Sequence, residues 1–595
     1  MLLINGAIPF YSSPNFQQGI WAQGFAKSFS NSDSFTIFAK NFGYPSSNPI
    51  SFGLPAVLIS SFFLEIGLYS ADAYSFSFAI FLIIAFIGAF NWASLFLDPN
   101  IASFAALLWS IQPIIIGHHA YSMLALGFAL LPMYTYVVFK LIKTSFISGK
   151  STSIWVLILT STTIVSLFMD GYTFMMFALF SILSWFYISF YDEFKKTRKI
   201  ITKDTFIKLF SIVFSFSIAT FLYNLYFPGV NQTLFSMDIY RSMGVDLTFL
   251  LFPTENEILL GDILNFSRYR TSTMFFGASS TFKTTYSLPL IIVSILFLYI
   301  FRRRKMQIKT LFIIISLISF YLALGPSLKI NALNPPTYGS QVMLQEFAGV
   351  STGNEIIYTY FPGFKSMRAT YRWTGLFVFC CWVFTVLFVS SFKFKNKSLF
   401  QGFIFIILIF SYIPNLSEKL SDVVIERSRL IEFEEKLSPL IAKNINSDDV
   451  VLFMPLDNDF SANFLFSHGN YYTYSIGGDK NFDFASSRWP KNVFLISELF
   501  LNLENFNEKI FFENLKTNEV VILTFFDKLF PGKYYCFESI PKDSKLLINV
   551  DDINFNCSQQ FPLKKQYLNF LDELEKYNKY QIKIYNDFAI IKLDN

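Results

Sequence analysis

TYRWTGLFVFCCWVFTVLFVSSFKFK (370–395) decides the fold, because no charged side chain occurs from Trp373 to Phe392. An α-helix needs about twenty such residues to cross the hydrocarbon of a bilayer, and only a helix can satisfy its own backbone there. Arg372 and Trp373 stand at one end and Lys393 and Lys395 at the other, where aromatic and basic side chains meet the membrane surface. Working outward, hydropathy marks nine further windows: 73–96, 100–117, 119–139, 153–169, 171–191, 206–227, 286–301, 307–324 and 398–414; the quoted run gives the tenth, 373–393. The whole chain agrees, with 53% hydrophobic and 15% charged residues over 595 positions, where a soluble domain carries about 25% charge. The 77 phenylalanines accompany abundant Ile, Asn and Lys, which points to coding bias rather than aromatic chemistry. A net charge of +5 without a basic stripe argues against nucleic acid as a partner.

Basic residues orient the spans. Lys140, Lys143 and Lys150 share one connection, and Lys195, Lys196, Arg198, Lys199 and Lys203 crowd a second. Arg302, Arg303, Arg304 and Lys305 fill a third, and Lys393, Lys395 and Lys397 a fourth. Placing all four in the cytoplasm satisfies the positive-inside rule. The expectation is a multi-pass inner (cell) membrane protein with three regions. Residues 1–72 form an outer first loop, 73–414 a transmembrane helix bundle with outer loops 228–285 and 325–372, and 415–595 an extracytoplasmic α/β domain. Residues 1–10 are too short to span and lack a basic n-region. Segment 54–69 is expected to lie in the outer interface as a juxtamembrane helix, with 49–69 as an eleventh span the alternative; a first span is then missing or reduced.

After Pro414 charge returns. Residues 417–443 read as an amphipathic helix, 450–456, 520–526 and 546–550 as buried strands, and 564–579 as a helix. Residues 581–593 read as a terminal hairpin turning at Asn586–Asp587. Cys380 and Cys381 fall inside a span and are expected to pack as small apolar groups. Cys536 and Cys557 lie in the tail and could pair if it is extracytoplasmic.

Four stretches in this order resemble the GT-C superfamily of polytopic glycosyltransferases, and within it the YfhO-like group of bacterial membrane proteins. They are NPISFGLPAVLISSFFLEIGLYSADAYSF (48–76), GVDLTFLLFPTENEILLG (244–261), LALGPSLKIN (322–331) and YFPGFKSMRATYRWTGLFV (360–378). The resemblance implies a GT-C-like helix bundle and transfer of a sugar, with inversion, from a polyprenyl-phosphate donor to an extracytoplasmic glycan, lipid or protein acceptor. In this superfamily an acid early in the first outer loop commonly acts as base. Here the matching stretch SPNFQQGIWAQGFAKSF (13–29) carries Asn15 instead. That departure keeps open a non-catalytic relative, a transporter or assembly factor in cell-surface polysaccharide biogenesis.

Sugar transfer needs a carboxylate to take the acceptor proton and cations to hold the leaving phosphate. The candidate acids are Asp33, Asp72, Asp170 and Glu65. Asp33 sits in a Ser/Asn-rich stretch, where it could also cap a turn; Asp72 could cap the span it precedes. Glu65 interrupts an apolar run, and Asp170 ends a span at Gly171. Arg368 and Arg372, one helical turn apart, are the candidate phosphate ligands, since arginine grips phosphate through paired hydrogen bonds. Asp246, Glu255 and Glu257 on the other outer loop could line the same mouth. His118 and His119 point about 100° apart on a helix, which disfavours a shared metal. No metal motif or cofactor motif is visible, so the expected partners are membrane lipid, donor and acceptor.

Overall fold

The structure is a computed structural model describing residues 1–595 except 32–35, 145–149, 198–202, 229–234, 304–306, 339, 393–396, 455, 457–459, 502, 504–505, 525–563, 586–587 and 595. Asp33, the strand expected at 546–550, the Asn586–Asp587 turn, Cys536 and Cys557 therefore lie outside the described residues. So do Arg198, Lys199, Arg304, Lys305, Lys393 and Lys395 of the basic connections. The chain is mainly α-helical and ends in a small sheet domain. It divides into two compact units: Met1–Ala7 with Phe78–Ser421, and Ile8–Ser77 with Asp422–Asn595.

The first unit is the helical one. Among the described residues five helices are long and apolar enough to cross a membrane: Ser70–Ala93, His119–Lys143, Gly171–Ile188, Lys203–Tyr226 and Thr370–Ser390. The chain is a membrane protein. Four of the remaining expected spans form shorter apolar helices, Ser153–Met169, Leu288–Ile300, Ile308–Leu324 and Lys397–Phe410. The window 100–117 is not one helix: it breaks between Pro99–Ser110 and Pro113–Ile116. Pro113 has no N–H to give and pushes Gln112 out of the helical region, to φ −63° and ψ 142°.

Three tryptophans tie these helices together, since burying an indole N–H is costly unless it finds an acceptor. Trp92 donates to Thr135 Oγ1 at 3.0 Å, Trp109 to the Ala129 carbonyl at 3.0 Å, and Trp382 to the Ala105 carbonyl at 2.8 Å. Small residues let backbones approach: Gly88 faces the Met133 backbone, where a Cβ would be only 2.6 Å away. Cys380 and Cys381 are buried, free thiols.

Outside the long helices, three of the four motif stretches interlock in this unit. Val245 N–H donates to the Ala323 carbonyl at 2.9 Å and Leu247 N–H to the Lys329 carbonyl at 3.0 Å, which ties 244–261 to 322–331. Tyr371 N–H donates to the Met243 carbonyl at 2.9 Å and brings in 360–378. Gly244 is required here, since a Cβ would run into the Leu324 carbonyl.

The second unit joins the beginning of the chain to its end. Helix Phe16–Ser30 starts at Asn15, whose side chain accepts the Gln18 N–H at 3.0 Å. It is buried on nearly all sides, so no amphipathic stripe announces it. Gly24 abuts the Asn463 backbone of helix Phe460–Gly469, and Trp21 Nε1 donates to the Gly477 carbonyl at 3.0 Å. Helix Leu54–Glu65 has twelve residues, with Gly53 at φ 80° before it and a proline in its first turn. That length falls short of the roughly twenty residues a crossing requires.

The sheet of this unit follows from apolar runs. Strands β1 (Phe38–Ala39) and β2 (Asn48–Pro49) form a small ladder of their own. Strands β3 (Val450–Met454), β4 (Tyr472–Thr473), β5 (Glu519–Thr524), β6 (Tyr580–Ile584) and β7 (Phe588–Leu593) form a sheet in the order β4-β3-β5-β7-β6. β3 pairs in parallel with β4 and β5, and β7 is antiparallel to β5 and β6. Every residue of β3 and β5 is buried, the signature of central parallel strands covered on both faces. The first loop is stitched onto this sheet: Thr473 N–H donates to the Asn41 carbonyl at 2.9 Å and Tyr44 N–H to the Thr473 carbonyl at 3.0 Å. The helix expected at 417–443 forms as Leu416–Glu432, passes through a π-helical turn at Phe433–Leu437, and ends as Ser438–Ala442.

Candidate functional site

The helical unit gathers charge and aromatic rings around Arg372. The arginine sits in the 3-10 turn Thr370–Trp373, which leads into helix Thr374–Ser390. Its guanidinium stacks over the Tyr172 ring at 4.5 Å and the Tyr121 ring at 5.1 Å. Such contacts stabilise a cation by about 0.5–2 kcal/mol, but they do not satisfy N–H donors. Arg372 Nε is buried and has no hydrogen-bond partner among the described residues. Three tyrosines, Tyr371, Tyr172 and Tyr121, act on this guanidinium, Tyr371 through a side-chain hydrogen bond as well, and among the described residues no carboxylate joins them.

Arg368 stands beside this cage rather than one helical turn below it. The backbone between the two arginines is not α-helical: a 3-10 turn ends at Ser366, Met367 lies at φ −98° and ψ 60°, and Ala369 at φ −87° and ψ 74°. The expected helical spacing of the pair is corrected accordingly. Gly363, at φ 84° just upstream, allows the chain to turn here. The two arginines nonetheless meet at Tyr172, whose hydroxyl accepts the Ala369 N–H at 3.0 Å and which lies in the fields of Arg372, Arg368 and Asp170. Arg368 also packs over the Phe235 ring at 4.9 Å.

Asp170 is 7% exposed and caps helix Gly171–Thr197, accepting the Thr173 N–H at 2.8 Å through Oδ2. Its charge reaches Tyr134, Tyr172 and Tyr223. Of the three expected acids among the described residues, Asp72, Glu65 and Asp170, this one shares the unit and the neighbourhood of the arginines.

A layer of buried hydrogen bonds supports Arg372. His118 lies under Tyr371, ring planes 6° apart and centroids 5.8 Å apart. Burial, with the Arg372 charge adding, pushes the His118 pKa down to about 3, so the imidazole is neutral near pH 7. Its Nδ1 is 2.8 Å from the Ile114 carbonyl and therefore carries the proton. Nε2 faces the Tyr371 hydroxyl at 3.1 Å, and that hydroxyl also lies 2.8 Å from Ser280 Oγ. His119 turns away to Asn5, with Nε2 3.0 Å from Oδ1. Among the described residues no three His, Cys, Asp or Glu side chains gather in a metal-holding group.

The other expected residues have different occupations. Asp72, 1% exposed, receives Arg427 Nε at 2.9 Å, Arg427 Nη2 at 2.8 Å and the Phe10 N–H at 2.8 Å. Both carboxylate oxygens are thus engaged within the second unit. Glu65 ends helix Leu54–Glu65 on the surface of that unit. Asp246 is a loop organiser, accepting the N–H groups of Thr248, Asn331 and Ala332 at 2.8–2.9 Å. Glu257 pairs with Lys283 at 2.7 Å.

Tyr121, Tyr172, Tyr371 and Arg427 were missed in the sequence. Two of them had a signal: Tyr172 follows Asp170–Gly171, and Tyr371 touches Arg372 in the quoted run.

No family model matches the chain, and no curated protein matches it. Among solved structures it is similar to the apo form of the Archaeoglobus fulgidus oligosaccharyltransferase, at 10% identity and a TM-score of 0.45, covering 88% of this chain and 67% of that one. The same protein's complex with Zn and sulfate gives 10% identity, a TM-score of 0.43 and coverage of 88% and 68%. Its complex with an inhibitory peptide and a dolichol-phosphate gives 10% identity, a TM-score of 0.38 and coverage of 88% and 68%.

Proposed function

We propose that the chain is a GT-C-type membrane glycosyltransferase that moves a sugar from a polyprenyl-phosphate donor to an extracytoplasmic acceptor. The observation that carries this reading is Arg372, a caged guanidinium that among the described residues has no carboxylate acting on it and no hydrogen-bond partner for its buried Nε–H. Leaving a buried donor unpaired costs about 1–3 kcal/mol, and a phosphate oxygen would recover it. Arg368 supplies the second positive charge. The order of the four motif stretches supports the superfamily, and three of them are linked through Val245–Ala323, Leu247–Lys329 and the contact of Tyr371 with Met243, the residue just before 244–261.

In this reading the donor phosphate binds at Arg372 and Arg368, which stabilise charge as the bond from the anomeric carbon to the phosphate oxygen breaks. The acceptor oxygen attacks the anomeric carbon from the opposite side. Asp170 takes the acceptor proton, and polyprenyl phosphate leaves with the bonding electron pair. The active site faces outward. Topology is supported by the second unit: residues 8–77 and 422–595 share buried hydrogen bonds such as Trp21 to Gly477, so both lie on one side of the membrane. The same reading puts the four basic connections in the cytoplasm.

The test is transfer of radiolabelled sugar from polyprenyl-linked donors by membranes carrying wild type, Asp170→Ala or Arg372→Ala. Each substitution should lower transfer by about 100-fold or more. Equal incorporation in all three would end the catalytic reading. One observation favours the non-catalytic alternative: Asn15 stands where the superfamily carries an acid, and its side chain is spent as a helix cap.

A further inference from the structure

Lys329 is a lysine with 3% exposure, whereas Arg268, Lys283 and Lys365 are exposed. It belongs to the stretch LALGPSLKIN, and nothing in the transfer chemistry above uses it. Its Nζ donates to the Ser242 carbonyl at 2.7 Å. That carbonyl is enclosed: Gly277 lies against it at φ 87°, where a Cβ would be 2.6 Å from the Ser242 oxygen. The next carbonyl along, Met243, accepts the Tyr371 N–H at 2.9 Å, and Tyr371 is bonded in sequence to Arg372. The two residues after that, Gly244 and Val245, press on the end of helix Gln307–Leu324, with Val245 N–H on the Ala323 carbonyl.

The lysine is held from behind as well. Asp246 lies in a short parallel bridge with Lys329 and fixes the backbone that follows it through Asn331 N–H and Ala332 N–H. Arg270, also buried, donates to the Phe252 carbonyl at 2.8 Å and stacks over Phe249 at 4.9 Å, within the field of Asp246. A lysine head group this deeply buried is expensive unless its hydrogen bonds are used. Here the bond falls on a carbonyl one residue from the seat of Tyr371.

We propose that Lys329 is a positioning residue for the Arg372 anion site: by gripping the Ser242 carbonyl it sets the height of the Met243 carbonyl, and through Tyr371 N–H the placement of the guanidinium between Tyr121 and Tyr172. The proposal rests on the reading of Arg372 as a phosphate ligand. It assigns the stretches 244–261 and 322–331 a shared task, to hold the third.

The test measures binding of farnesyl phosphate to the purified full chain in detergent, well below each variant's melting temperature. Arg372→Ala should weaken binding by about tenfold or more. Lys329→Met should weaken it by about fivefold, the size of one lost hydrogen bond, and Lys329→Arg, which keeps a charged donor, should restore most of that. Gly277→Ala displaces the Ser242 carbonyl without touching the lysine and should weaken binding in the same direction. If Lys329→Met does not fold, the Gly277→Ala affinity decides. A loss for Arg372→Ala with unchanged affinity in Lys329→Met, or in Gly277→Ala where that variant decides, overturns the positioning role and leaves the phosphate reading standing. No binding by wild type, or none lost in Arg372→Ala, overturns the reading and the positioning role with it.

Discussion

Arg427 and Arg372 are both arginines in largely buried settings, and they have opposite surroundings. Arg427 meets Asp72 through two parallel hydrogen bonds, at 2.9 and 2.8 Å, inside the unit that joins the first loop to the sheet domain. Arg372, in the helical unit, meets tyrosine faces and keeps a buried Nε–H with no acceptor among the described residues. A paired guanidinium is a fastener: its donors are used up and its charge is neutralised. A guanidinium held by tyrosine rings and a tyrosine hydroxyl is placed without being neutralised, which suits an anion that arrives from outside.

The difference can be broken most directly at Arg427. Arg427→Ala leaves the Asp72 carboxylate buried and unpaired, and should destabilise the second unit by about 3–5 kcal/mol in denaturant or thermal unfolding. Arg372→Ala removes contacts with three tyrosine rings and should cost only about 1–2 kcal/mol in the same assay, while weakening phosphate binding about tenfold or more. If the two variants lose similar stability, the contrast between fastener and ligand is wrong.

Lys329 sharpens the comparison through pH. Burial lowers its pKa to about 7, and Asp246 pulls it partly back up. Between that value and the ordinary lysine value of 10.5 the unfolded chain holds a proton that the folded chain has released. The folded state therefore gains stability as pH rises from about 7 through this window. Thermal unfolding at pH 7 and pH 9 should show the gain in wild type and lose it in Lys329→Met; parallel curves would show that the lysine titrates normally.

The smallest effect is expected at Asn15. Asn and Asp cap helices about equally well, so Asn15→Asp should change stability by only a few tenths of a kcal/mol. A rise in sugar transfer in that variant would show that the cap position can also serve as a base.

The sequence disclosed the parts whose signal is local. Charge-free runs such as 373–392 marked helices because a bilayer leaves no other choice, and β3 and β5 stood out as apolar runs. Pro113 was equally legible as a break, yet 100–117 read as one span because mean apolarity hides a single missing N–H. The arginine spacing misled for a related reason: four residues apart implies a shared face only on an α-helix, and the backbone at Met367 and Ala369 is not one. Long-range facts were out of reach. Tyr121, Tyr172 and Arg372 come from three distant stretches, and helix Phe16–Ser30 hides its role because burial all round erases periodicity.

The bond between Trp21 and the Gly477 carbonyl spans 456 residues of chain. A ribosome adds about 5–20 residues per second, so the first partner waits roughly 20–90 s for the second. During that interval every intervening hydrophobic helix emerges and must be inserted, while the apolar surface of helix Phe16–Ser30 stays uncovered. Completion of this unit thus waits for the helices between, and a chain truncated before Gly477 leaves Trp21 without its acceptor and part of the N-terminal helix uncovered.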